Sequence, residues 1–107
     1  MSDELASCGA AEPFALRVIG DDMAPEFADG HIVVVDPGGR VSSGCYVVAR
    51  CAGEVVLRRL CIDGSRYRLQ AHKDGVAEIE LPGLDSIVGV VSQRAGKRRR
   101  EHKRYDV

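Results

Sequence analysis

The sequence predicts an all-β, barrel-like domain, and three observations carry the prediction. Turn signals built on Gly, Pro and Asp recur at short intervals along the chain. No long segment holds the apolar period of a helix. The twelve glycines fall mostly between short apolar runs rich in β-branched residues, the pattern of successive hairpins.

The elements follow in order. Residues 1–13 are small and polar and read as a loose arm. Residues 14–19 alternate as a first strand that ends at Gly20. Asp21-Asp22-Met23 follows as a tight segment at the strand's end, and a turn begun by Pro25 closes on Asp29-Gly30. One helical turn over residues 24–27 is the only helix expected. His31-Ile32-Val33-Val34-Val35-Asp36 is the second strand, stopped by Pro37-Gly38-Gly39. Residues 44–51 form the third and 54–60 the fourth, joined through Ala52-Gly53. Two β-rich runs around a two-residue break containing Gly predict a hairpin. Residues 66–71 alternate as a fifth strand between Asp63-Gly64 and Lys73-Asp74-Gly75. A sixth over 77–81 ends at Pro82-Gly83, and Ile87-Val88-Gly89-Val90-Val91-Ser92-Gln93 is the last.

Size and composition bound the class. The chain has 107 residues, suiting one domain, and its hydrophobic content of 45% allows a buried core. No apolar run approaches the ~18–20 residues of a membrane span. The polar, acidic start has no basic region followed by an apolar core, so a cytoplasmic protein without a membrane partner is expected. The net charge of −1 hides an asymmetry. Residues 1–93 carry 8 Lys+Arg against 14 Asp+Glu, a net of −6, and residues 94–107 carry 7 against 2, a net of +5. Like-charge runs of this kind are usually solvated tails. The alternative is nucleic-acid contact through Lys97, Arg98, Arg99, Arg100, Lys103 and Arg104, weak and without sequence preference. Only Tyr105 offers an aromatic ring there for stacking.

The cysteines, Cys8, Cys45, Cys51 and Cys61, are even in number but form no C-x-x-C, and His31, His72 and His102 are scattered. They read as small strand or core residues rather than disulfide partners or a metal site, and no cofactor is implied.

Several stretches together resemble the catalytic domain of LexA-type self-cleaving repressors and UmuD-like proteins, the S24-type serine–lysine peptidases. The run Gly20-Asp21-Asp22-Met23-Ala24-Pro25 is similar to their G-D-S-M-x-P, and Asp29-Gly30 to the D-G that follows. Gly44-Cys45-Tyr46-Val47-Val48-Ala49-Arg50 is similar to G-D-x-V-V-A-R. Gly53 to Leu60, Gly-Glu-Val-Val-Leu-Arg-Arg-Leu, is similar to G-E-V-x-V-K-R-L, and Ile87 to Val91 to I-V-G-V-V. The resemblance covers residues 14–93, in order. It implies a partly open β-barrel of the LexA and signal-peptidase type, with short hairpins. It also implies a homodimer, to which the apolar run at 87–91 offers a possible sheet edge.

The family's chemistry needs a serine nucleophile and a neutral lysine that takes its proton. The matching positions here are Asp22 and Arg58. A guanidinium stays protonated at any accessible pH and cannot act as the base. A lone carboxylate is a poor nucleophile toward an amide. Asp21 should point away from Asp22, because neighbours on an extended chain face opposite sides. The two changes are complementary, however: a neutral pair becomes an anion and a cation, expected to meet as a bidentate ion pair where the dyad would be.

The expected function is therefore a catalytically inactive LexA/UmuD-like domain. It would serve as a dimerisation or protein-binding module in transcriptional regulation or the DNA-damage (SOS) response. No helix-turn-helix precedes the β-rich region, so any regulation is expected to run through partners or the basic segment. The alternative is an active self-cleaving peptidase with a relocated site. The only further lysine outside residues 94–107 is Lys73. Ser42, Ser43 and Ser65 lie in turns, and Cys45 or Cys51 with His31 or His72 is a conceivable pair. A self-cleavage product would be cut at Cys8-Gly9.

Overall fold

The computed structural model describes residues 12–105. The arm over residues 1–11, with Cys8-Gly9, lies outside them, as do residues 106 and 107. The strands are β1 (Phe14–Arg17), β2 (Ile32–Asp36), β3 (Tyr46–Cys51), β4 (Glu54–Asp63), β5 (Arg66–Gln70), β6 (Ile79–Leu81), β7 (Ile87–Ala95) and β8 (Lys103–Arg104), with a 3-10 turn at Arg99–Glu101. They form one eight-stranded sheet in the order β1-β2-β7-β3-β4-β5-β6, with β8 beside β7. All pairings are antiparallel and the sheet does not close. This is the expected all-β, partly open architecture. No helix among the described residues is long and apolar enough to cross a membrane.

Burial follows the alternation of the strands. In β3, Val47 and Ala49 join one core with Leu60, Leu69, Leu81 and Val90. Val48 between them joins the other, with Val18, Met23, Phe27, Val33, Val35 and Val91. Successive side chains of a strand face opposite sides, so β3 and β7 carry a core on each face. The β3–β4 hairpin turns through Ala52 at φ 52° and Gly53 at φ 81°, the positive pair that a two-residue turn of this hand requires. Gly89 is set by close approach, since a Cβ there would lie 2.7 Å from Val35 Cγ1.

The chain between β1 and β2 is a pinned loop. Val18 N–H donates to the His31 carbonyl and Gly30 N–H to the Val18 carbonyl, both at 2.8 Å. Gly20 N–H donates to Asp29 Oδ1 at 2.7 Å. The expected helical turn is a single bond from Phe27 N–H to the Met23 carbonyl at 2.9 Å. Met23 and Phe27 are buried, so the loop is held by its own plug. Burying a phenylalanine fully contributes about 2–3 kcal/mol.

Two expectations are corrected here. The run at 87–91 is not a sheet edge: β7 pairs with β2 on one side and with β3, then β8, on the other. Its consecutive apolar residues reflect burial on both faces. The basic segment is also not a free solvated tail over its described part. Residues 96–105 turn back as a strap, and β8 pairs Lys103 and Arg104 with Arg94 and Gln93. Local charge carries no information about this return, because the pairing with β7 and the distant contacts to Glu26 and His31 depend on residues outside the segment.

Candidate functional site

β1 leaves one edge unpaired. The first half of β4 does the same, because β5 takes up β4 only from Arg59 onward. Between these two edges runs a groove of about 430 Å³. Residues 16–20 form one wall and 54–58 the other, Val33 and Val48 lie beneath, and Asp22, Met23 and Arg58 stand at its end. Ile19 is 86% exposed and Val55 54%, the two most exposed large apolar side chains among the described residues. Both line the groove.

The structure brings Asp22 and Arg58 together. Arg58 Nη2 lies 3.3 Å from Asp22 Oδ2. The contact is single rather than bidentate, because Arg58 Nη1 donates to the Leu57 carbonyl at 2.8 Å. Arg58 Nε is buried without a partner among the described residues. The arginine side chain is 12% exposed and the aspartate 46%. Arg58 sits opposite Val47 in the β3–β4 register, and its guanidinium reaches the groove's end.

Asp21 and Asp22 diverge as expected. Lys73 Nζ is 3.0 Å from Asp21 Oδ1. This hydrogen bond and the lysine's charge hold the Asp21 carboxyl below its usual range and raise Lys73 in return. A charged lysine held on a carboxylate is a poor base. The Asp22 carbonyl accepts from His72 N–H at 2.9 Å and Lys73 N–H at 3.0 Å. The loop after β5 thus fixes the position of Asp22, a role with no local sequence signal.

The conceivable cysteine–histidine pairs do not form among the described residues. His72 Nε2 meets Tyr46 Oη at 2.8 Å. His31 Nδ1 accepts from Ala28 N–H at 3.0 Å, which leaves Nε2–H for Glu101 Oε1 at 3.2 Å. Burial pushes the Cys45 thiol up, away from the reactive thiolate. Ser43 Oγ accepts from Ile62 N–H at 3.0 Å, so that serine is occupied in a turn.

Behind the groove's end, Glu26 gathers the strap. Its carboxylate accepts from Lys103 Nζ at 2.8 Å and from Tyr105 Oη at 2.5 Å, and its carbonyl accepts from Arg94 Nη1 at 2.6 Å. Burial raises the Glu26 carboxyl, but these bonds and the Lys103 and Arg94 charges outweigh it, leaving it below the usual glutamate value. Burial, then the bond to Glu26, raises the Tyr105 hydroxyl well above its ordinary value, so it stays a donor. Tyr105 packs on Phe27 and Tyr46, with ring centroids 5.6 and 5.8 Å away. Of the six basic residues expected to bind, Lys103 is therefore turned to the body. Lys97, Arg98, Arg99, Arg100 and Arg104 are exposed.

Residues 4–92 match the peptidase S24-like family. The HTH-type transcriptional regulator for conjugative element R391 of Providencia rettgeri is 38% identical over 87 residues, 75% of this chain and 40% of that one. The prophage repressor CohE of Escherichia coli (strain K12) is 37% identical over 82 residues, 73% of this chain and 37% of that one. The LexA repressor of Citrifermentans bemidjiense is 33% identical over 94 residues, 87% and 45%. The matched region spans less than half the length of each of these relatives.

Proposed function

The chain belongs to the peptidase S24-like family, and from that premise we propose that it is a regulatory domain of the repressor type that binds a protein segment without cutting it. One observation carries the reading. The groove between two unpaired strand edges ends on an aspartate–arginine pair at 3.3 Å, in the positions where the resemblance puts a nucleophile and its base. Neither side chain supports that chemistry: Arg58 stays protonated, and Asp22 faces a cation rather than a second carboxyl. What the groove retains is the ability to hold an extended chain. Free N–H and C=O groups on both walls can add a strand, and the exposed Ile19 and Val55 offer apolar contacts for alternate side chains. Similarity to a prophage repressor and to a transcriptional regulator for a conjugative element supports a place in transcriptional regulation, and the DNA-damage response is the setting this reading favours. In this reading the domain also self-associates.

Intact mass after prolonged incubation tests the loss of chemistry. The native chain should keep its full mass, and loss of the arm at Cys8-Gly9 would overturn the reading. The companion is Asp22→Ser with Arg58→Lys, given an added Ala-Gly loop of the family type. Gain of cleavage in that variant alone is expected, because the scaffold around the pair is intact.

A further inference from the structure

We infer that the strap over residues 96–104 is a docking surface for the phosphate backbone of duplex nucleic acid, independent of the groove. The structure divides the segment's charges into two sets. One set is spent on holding the strap. Lys103 and Tyr105 bind Glu26, and Arg94 binds the Glu26 and Glu101 carbonyls. Glu101 binds His31, and Tyr105 N–H donates to the Ser92 carbonyl at 2.9 Å. The other set is Lys97, Arg98, Arg99, Arg100 and Arg104. All five are exposed, and none makes an ion pair with a described residue. The only acid within 96–104, Glu101, is turned to His31, so nothing on the strap itself neutralises the outward set.

Four features select the partner. The outward set stands on a strap fixed to the body at both its strand and its 3-10 turn, so little ordering cost falls due when a polyanion arrives. The sequence Gly-Lys-Arg-Arg-Arg-Glu-His-Lys-Arg holds no apolar or large aliphatic side chain. A protein hot spot desolvates its aromatic and arginine anchors in a packed pocket, which a run of exposed charges does not offer, whereas phosphate contacts need charge and little shape. Tyr105, next to the strap, is packed on Phe27 with its hydroxyl on Glu26, and the His102 ring is tied to Gln93 Oε1 at 3.0 Å. With both rings tied to the body, the strap offers charge rather than a stacking platform for unpaired bases, which favours a duplex over a single strand. Residues 1–93 carry a net of −6, so the strap is the chain's concentration of positive charge.

The test is fluorescence anisotropy of the full chain with a labelled, random-sequence DNA duplex, between about 50 and 200 mM salt. Each phosphate contact contributes about −0.9 to the slope of log K against log salt. The native chain should bind with a slope of about −3 to −4.5. Arg98→Gln with Arg99→Gln and Arg100→Gln should flatten the slope by about 2–3 and weaken binding at least about tenfold at low salt. The same three positions changed to Lys keep the charge and should keep the slope, which separates charge from folding. Equal slopes for the native and Gln forms would overturn the inference. So would absence of binding at low salt, stronger displacement by polyglutamate than by unlabelled duplex, or loss of binding in the Lys form.

Discussion

At the residue scale the decisive feature is the aspartate–arginine pair at the end of the groove. Asp22 and Arg58 meet, but in a setting between surface and interior. The arginine is mostly covered, while the aspartate is nearly half open to water. Exposed pairs contribute ~0–1 kcal/mol, and breaking a fully buried one costs ~3–5 kcal/mol. The half-open aspartate places this contact near the lower end. A double-mutant cycle of Asp22→Ala and Arg58→Ala should therefore give a coupling of about 1 kcal/mol, read from denaturant unfolding. Coupling within ~0.3 kcal/mol of zero would mean that the contact does not bind the two groups. The single Arg58→Ala change should be the costlier of the two, because its side chain is the more buried.

At the scale of elements, the strap and the pinned loop meet at Glu26. The carboxyl there lies below its ordinary value of 4.5. A group depressed on folding contributes stability that is fully present above its unfolded pKa and is lost as pH falls through the folded value. The melting temperature should therefore drop below pH 4.5 more steeply in the native chain than in Glu26→Gln, which keeps the shape but does not titrate. Parallel acid limbs would show that Glu26 does not link the two elements. Amide exchange provides the structural readout: in Glu26→Gln, exchange should speed up at Lys103 and Tyr105, which lean on this carboxylate, more than within β3 and β4.

At the scale of the whole molecule, the open sheet leaves edges at β1, β6 and the first half of β4. Exposed strand edges invite pairing with another chain. A homodimer at micromolar concentration is expected through such an edge rather than through β7, which is paired on both sides. Light scattering should return about twice the 11.6 kDa of one chain, and a monomer mass at high concentration would reject the dimer. The groove and the basic strap lie on different elements, so segment binding and polyanion binding are separable by substitution.

What the sequence determined by itself was whatever depends on near neighbours. The β-branched run at residues 32–36 and the hairpin at Ala52-Gly53 follow from side-chain alternation and turn chemistry, which act over a few residues. The meeting of Asp22 and Arg58 was also legible, through the ordered resemblance that placed both at one site. The tertiary structure alone decided the rest. It put Arg58 Nη1 on the Leu57 carbonyl and so reduced a bidentate pair to one contact. It enclosed the apolar run at 87–91 between other strands. It folded the basic segment back through Glu26, more than seventy residues away from Lys103 and Tyr105. Composition shows a charge but not its partner. When the partner lies far along the chain, only the packing of the whole sheet decides whether that charge faces the body or the solvent.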